Sequence, residues 1–476
     1  MGTIFTIDLG TTSFKAALFD SNLKLIAVAR VPTPVHVAAA GWREILPEAF
    51  FRTIQDLAGL LRTQNPSGYS SIGMVTFSTQ TNSFILLDGR DCPLTPLILW
   101  SDERARHDFS SEEDFRIAAP SVTGLTSVGA LAAPAKLKWM AKHQPEILAA
   151  TRRFCLIGDF LTLWFTGRHV SEAGAAGFTG LLDIHQLSWC PEVEQGTGFS
   201  RSCLPSVLRA GADLGAIRSE AAEALTMNPS CRFFLGCLDQ YAGAVGAGNT
   251  LPGAVSETTG TVLTTIQCSD RFSEMGGGYY QGPAFREGWY WKMMVAERGA
   301  SLLEAFRNAQ PDRPEFPVLD AEAASTPPGA EGLRLVAPIG TNPRDAFSGI
   351  STHHNRGHFA RAIMEAVAFA LASQIQILCA NPPSELRCCG GANRSRVWLQ
   401  IKADVLNIPC APPACDEPAC LGAAVLAVRS LGGVPDVHDP SLRDPADWIF
   451  PRPGIHRFYK SLLTESPKLE KPIPNP

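Results

Sequence analysis

No CxxC pair occurs among the 13 cysteines of this 476-residue chain, so neither a zinc knuckle nor a thioredoxin-like site is written into it. Cys388-Cys389 end an expected strand, and Cys410, Cys415 and Cys420 recur at equal spacing. Buried reduced thiols explain these better than a metal does. No uninterrupted apolar run is long enough to cross a bilayer. The start, Met1-Gly2-Thr3-Ile4-Phe5-Thr6, lacks the charged and apolar regions of a signal peptide. Basic residues are not in excess: 41 Lys and Arg against 46 Asp and Glu give a net charge of −5, no footprint for nucleic acid. GxxxxGK[ST] is absent, which excludes a P-loop NTPase, and the GAVGAG run from Gly243 to Gly248 lacks the GxGxxG spacing of a Rossmann site. These absences leave a cytoplasmic globular protein with no membrane or nucleic-acid partner and the length for two or three domains.

What is present centres on Phe233 to Thr261. An apolar strand, Phe233-Phe234-Leu235, stops at Gly236; one acidic residue, Asp239, follows on the turn, then small residues from Ala242 to Gly248. Such a face lets a backbone or a phosphate approach closely. Gly260-Thr261 closes the stretch before another apolar run. A carboxylate beside a small-residue helix and a Gly-Thr turn suits hydroxyl activation next to a phosphoryl group. The competing reading is a buried helix packed on a sheet.

Taken in order, Ile4–Ile7 and Phe14–Phe19 predict a hairpin whose turn, Asp8-Leu9-Gly10-Thr11-Thr12-Ser13, offers backbone N–H groups and hydroxyls to an anion. Lys15 adds a point charge, and Asp8 can hold a hydrated cation at the same mouth. The strand Ile72–Phe77 ends in Ser78-Thr79-Gln80-Thr81-Asn82, and Leu97–Trp100 ends in Ser101-Asp102-Glu103-Arg104. Polar strand ends of this kind bind ligands in open α/β sheets, or are simply loop ends. Helices are expected over Pro47–Arg62, Pro134–His143, Ile157–Phe165 and Phe359–Leu378, and a proline-rich surface loop over Pro311–Pro328. His354 and His358 stand at metal-ligand spacing, but with no acidic neighbour in sequence they read as a solvated helix entry. Gly390-Gly391-Ala392 before a helix lets a flat ring or a phosphate lie on the backbone. Gly10-Thr11 and Gly260-Thr261 form a faint repeat, as expected of two homologous halves facing one cleft.

Together these segments resemble the FGGY family of carbohydrate kinases over nearly the whole chain. Asp8 to Ser13 looks like its first phosphate hairpin, LILWSDER (Leu97–Arg104) like its ILWND-R segment, and Gly236 to Gln240 like the stretch carrying its catalytic aspartate. Thr258-Thr259-Gly260-Thr261 looks like the second phosphate turn. Gly390-Gly391-Ala392 with Ser395 and Trp398, then Leu421-Gly422-Ala423-Ala424, is similar to the adenosine-binding half.

The resemblance implies an α/β chain of two ribonuclease-H-like domains, of the actin/hexokinase ATPase type, facing a central cleft. Residues 1–246 would bind sugar and the first phosphates, 253–433 the nucleotide, and 434–476 would form a tail. It implies transfer of ATP's γ-phosphoryl to a sugar or polyol hydroxyl with Mg2+, Asp239 acting as base. Asp8 would position the metal through water. Gly10, Thr11, Thr12, Ser13, Lys15, Gly260 and Thr261 would hold phosphates, and Gly390, Gly391 and Ala392 the adenine. Gln80, Thr81, Asn82, Asp102, Asp239 and Gln240 would line the sugar pocket. A homodimer is an option that the resemblance leaves open.

Two departures stand out. A shorter Gly340-Thr341-Asn342-Pro343 replaces the family's GERTP-like loop. Gln80-Thr81-Asn82 falls where xylulokinases have Gln-Met-His and glycerol kinases an Arg-Glu pair. A ketopentose such as D-xylulose is the expected acceptor, with another pentulose, a hexulose or a polyol behind it. A catalytically silent sugar or nucleotide sensor would more readily have lost Asp239, and an actin- or chaperone-like ATPase has no use for the sugar-facing groups.

Overall fold

The computed structural model describes residues 2–109, 113–273, 278–296, 299–340, 342–412, 415–432 and 447–465. Thr341, and with it part of the shortened loop, lies outside them, as do residues 433–446 and 466–476 of the tail.

Two mixed sheets organise the chain. The first contains β1 (Thr3–Leu9), β2 (Ser13–Phe19), β3 (Leu25–Pro32), β4 (Ile72–Thr79), β5 (Asp213–Ala216) and β6 (Arg232–Phe234) in the order β5-β6-β4-β1-β2-β3, with β7 (Cys237–Leu238) also on β4. The second contains β8 (Val255–Thr259), β9 (Leu263–Ser269), β10 (Tyr280–Pro283), β11 (Tyr290–Ala296), β12 (Leu386–Cys389) and β13 (Cys410–Ala411) in the order β10-β11-β9-β8-β12-β13. In both, an antiparallel hairpin opens the sheet, a third antiparallel strand flanks it, and two parallel strands extend the other side. The faint Gly-Thr repeat is thus a repeat of topology. Strands β1 and β4 read as near-continuous apolar runs because they are central and covered on both faces.

The two halves meet at a helix crossing. Helix Asp239–Gly246 packs against helix Pro418–Ser430, which itself lies on β1, β2 and β4 of the first sheet. The crossing is too close for side chains: a Cβ on Gly246 would sit 1.9 Å from the Pro418 carbonyl oxygen, and one on Gly422 1.8 Å from that of Ala242. These small residues therefore admit a neighbouring backbone.

Helix Arg356–Leu378 is, by length and composition alone, long and apolar enough to cross a membrane. Most of it is buried in the core of the second half, which accounts for that composition. The expected surface loop at Pro311–Pro328 is in part a helix, Phe316–Ala324. Pro317 sits in its first turn, where a missing N–H costs nothing, and Leu319 and Ala323, four apart, are fully buried. Proline content misled here because its position matters more than its count. In the tail, helix Pro453–Glu465 places Tyr459 against Glu365 (2.6 Å) and Arg361 (2.8 Å) in the second core.

Candidate active site

The first hairpin turns through Gly10, Thr11 and Thr12. Thr33 holds it from outside: its hydroxyl donates to the Gly10 carbonyl (3.0 Å) and its N–H to that of Thr12 (3.1 Å). The Gln80 amide donates to the same Gly10 carbonyl (3.4 Å). Thr11 and Thr12 are exposed, and the Thr11 hydroxyl accepts a hydrogen bond from the Trp100 indole at 3.0 Å. Ser13 begins the returning strand, and Lys15, two residues on, points its ammonium at Glu417 (2.9 Å) and Asp8 (3.6 Å).

Asp8 is buried, and Ser78 donates a hydroxyl hydrogen bond to it. Burial raises its pKa, while the Lys15 charge and the Ser78 bond pull it back. Asp239 is the first residue of its helix and half-buried. Its carboxylate accepts the Gln240 N–H (2.7 Å), and its pKa is pushed up to about 7, first by burial and then by the Asp8 charge. A carboxyl that titrates near neutrality is suited to general-base work. The Asp8 charge opposes ionisation of Asp239, and carboxylate oxygens of this kind suit a hard divalent cation, so the residues fit Mg2+.

At the two polar strand ends the structure reveals commitments that the sequence hides. Asp102 is wholly buried. One of its oxygens accepts the Arg104 N–H (3.0 Å) and Nε (2.8 Å), the other the Arg43 N–H (2.7 Å) and an Arg104 guanidinium nitrogen (3.0 Å). Asn82 sits in the left-handed region (φ 60°), which asparagine tolerates better than most residues. Its amide donates to the Phe178 carbonyl (3.2 Å) and accepts the Ala133 N–H (3.0 Å). Thr81 donates to the Ala175 carbonyl (2.8 Å), and the Gln80 side-chain amide oxygen, Oε1, accepts from Ser83 (3.2 Å). Gln240 is half-exposed beside Asp239.

The second turn, Gly260-Thr261, joins β8 to β9. The Ala300 N–H donates to the Gly260 carbonyl and the Ser301 hydroxyl to that of Thr261, both at 2.6 Å. Gly390, at φ 87°, abuts Thr259, where an added Cβ would meet the carbonyl oxygen at 2.6 Å. Around Gly260 and Gly391, by contrast, a Cβ would meet open space, and Ala392 is half-buried.

Several residues were not singled out from sequence. Glu172 is buried and accepts N–H bonds from Gly174 (2.7 Å), Ala175 (2.9 Å) and Leu238 (3.1 Å), tying a Gly/Ala-rich connection to the residue before Asp239. Burial pushes its pKa up to about 7. An acidic residue just ahead of a small-residue run was the available signal, as an N-cap. Lys136, fully buried, donates to the carbonyls of Leu99 (2.6 Å) and Trp100 (2.9 Å), and burial brings its pKa down to about 7. Nothing local in its helix announces that role.

Glu331 stands beside His353, His354 and His358, supplying the acidic partner missing from the local sequence. The Ser351 N–H donates to His354 Nδ1 (3.0 Å) and the Asn355 N–H to His358 Nδ1 (3.2 Å). His358 Nδ1 also lies 2.9 Å from Asn355 Oδ1, and its Nε2 lies 3.2 Å from a Glu331 carboxylate oxygen. Ligand atoms of Glu331, His353 and His354 lie within 4.8 Å of one another, a grouping that could hold a metal ion.

Two sheets of one topology, each opened by a hairpin with a Gly-Thr turn, and joined by a helix that begins with a carboxylate, are the architecture of the actin/hexokinase-like fold. Within that fold the chain belongs to the FGGY family of carbohydrate kinases. The family's N-terminal domain matches residues 3–246 and its C-terminal domain residues 294–431. The chain is 25% identical to a xylulose kinase of Lactococcus lactis over 91% of this chain and 88% of that one. It is also 25% identical to a gluconokinase of Bacillus subtilis, over 90% and 87%. A crystal structure of xylulose kinase from Rhodospirillum rubrum superposes with a TM-score of 0.81 at 27% identity, covering 97% of both chains. The protein is therefore an ATP-dependent sugar kinase.

Proposed function

We propose that this kinase phosphorylates a ketopentose, D-xylulose first, with Asp239 as the base. The observation that carries the mechanism is the Asp239 carboxyl, half-open to solvent, titrating near pH 7 beside Asp8 and Lys15. The acceptor hydroxyl attacks the γ-phosphorus of ATP, its proton passes to Asp239, and the bond to the leaving ADP oxygen breaks. Lys15, the Thr11-Thr12 turn and the Gly260-Thr261 turn cradle the phosphates with N–H groups, hydroxyls and one ammonium. Asp8 would hold Mg2+, which would supply neutralisation of the charge on the phosphates. Gly390 to Ala392 provide a flat backbone for adenine.

In this reading Gln80, Thr81, Asn82 and Gln240 shape the sugar pocket. Asp102, with both oxygens committed, acts through Arg104 and the backbone of Arg43 instead of gripping the sugar. The ketopentose is supported by the relatives named xylulose kinase. Gluconate and other polyhydroxy acceptors are the second reading, since a gluconokinase is as similar as a xylulose kinase. The test is ATP consumption by the purified protein over pentuloses, hexuloses, polyols and gluconate. The highest kcat/KM on D-xylulose is expected, and a clear preference for gluconate or for a polyol would displace the ketopentose.

A further inference from the structure

Lys402, on helix Arg396–Leu406, has no solvent exposure, and neither does its partner Glu257. Its three ammonium protons have three acceptors: Glu257 Oε1 (2.8 Å), the Thr259 hydroxyl oxygen (2.8 Å) and Asn393 Oδ1 (2.7 Å). Thr259 in turn donates to Glu257 Oε2 (2.7 Å). The acceptors belong to two segments far apart in sequence. Glu257 and Thr259 lie on the strand that runs into Gly260-Thr261. Asn393 closes the turn Gly390-Gly391-Ala392, where its N–H donates to the Gly390 carbonyl (3.1 Å) and its amide to that of Cys389. Above the ammonium the two segments touch, Gly390 against Thr259.

We propose that Lys402 is a positioning residue: its ammonium locks the phosphate turn to the adenosine turn, so that the two ends of ATP are bound as one ligand. The inference rests on the nucleotide reading of those two turns given above. A buried ion pair is seldom the most stabilising way to fill a core, because desolvating both charges costs about as much as their attraction returns. What three directed hydrogen bonds on one ammonium add is fixed geometry. Fixed geometry between two subsites matters when one molecule must span both, since binding at the first raises the effective concentration at the second. Apolar packing would hold the turns together but would let them slide.

The test separates linkage from folding. Removing Lys402 alone would strand the Glu257 charge, so the variant of choice is the double substitution Lys402→Met with Glu257→Gln, which leaves no unpaired ion. Competition calorimetry, which reads millimolar ligands, would compare ATP, adenosine and inorganic tripolyphosphate. The variant should melt near the wild-type temperature, bind each fragment within about twofold of wild type, and lose about tenfold in ATP affinity. Loss of all three ligands in parallel, or of none, overturns the proposal. If the double variant fails to fold, Thr259→Val removes the hydroxyl's two hydrogen bonds, from Lys402 and to Glu257, while the ion pair itself stays, and the same selective loss is expected at about threefold. A wild type that binds tripolyphosphate, but whose adenosine affinity is untouched by Gly391→Trp, would instead overturn the placement of adenosine at that turn.

Discussion

The Lys15 ammonium lies 2.9 Å from the Glu417 carboxylate, joining the first hairpin to the residue that precedes helix Pro418–Ser430. Glu417 also holds Arg30 at 2.8 Å, and Lys15 lies 3.6 Å from Asp8. One lysine thus serves as counter-charge to the buried acids at the mouth, lowering the pKa of both Asp8 and Asp239.

From this arrangement, Lys15→Met should act twice. It should weaken ATP binding by removing a phosphate contact, and it should raise the pKa of Asp239 further. The base must be ionised, so kcat/KM rises with pH to a limb near 7 in the wild type, and the limb should move to higher pH in the variant. A pH–rate profile decides it. An unmoved limb would place Lys15 outside the field of the base.

Asp239→Asn keeps the shape and loses the base. General-base help is worth ~10² to 10⁴ in rate, so turnover at saturating sugar and ATP should fall at least about a hundredfold with ATP binding nearly normal. Stability should move the other way. The carboxyl titrates near 7 when folded against an ordinary value of 3.8, so ionisation penalises the folded state progressively as pH rises between the two. The variant should therefore melt higher than wild type above pH 7, and the gain should be gone below about pH 4. Melting curves across pH check the sign.

Asp102 and Asn82 should separate. Asp102→Ala takes one of two carboxylate partners from the buried Arg104 guanidinium, leaving Glu44 and the Trp42 and Trp139 rings, and should cost about 3 kcal/mol or more in urea unfolding. Asn82→Gly keeps the left-handed backbone and removes the amide that links Phe178 and Ala133. It should raise the sugar KM several-fold while the ATP KM stays within about twofold. Equal effects on both substrates would remove Asn82 from the sugar pocket.

Gly422→Ala tests the helix crossing. The added methyl would lie 1.8 Å from the Ala242 carbonyl oxygen, a backbone atom that cannot swing aside. A loss of about 2 kcal/mol or more is expected in denaturant melts, with activity impaired because Asp239 heads the displaced helix. A neutral change would mean that the two helices can separate without cost.

Much of this protein is determined by local sequence. Apolar runs broken by Gly-Thr turns specify two hairpins, because strand and turn chemistry act over a few residues. The order of the FGGY-like segments specifies the family, and the place of Asp239 at the head of a small-residue helix is legible because one acid stands between that helix and an apolar strand. The Pro311–Pro328 segment marks the limit of that reading, since burial of Leu319 and Ala323, more than proline content, settled it.

Tertiary structure alone decided which charges meet. Lys15 and Glu417, Lys402 and Glu257, and Glu331 and the three histidines are distant in sequence, and a charge carries no local sign of its partner. Burial likewise became known only after folding, and it decides whether a carboxyl such as Asp239 titrates near 4 or about 7. The same holds for Asp102, whose strand-end position suggested an open ligand group and whose oxygens are all taken. Hydrogen bonding and desolvation are set by what surrounds a group in space, and for these side chains the surroundings come from segments that only the fold brings together.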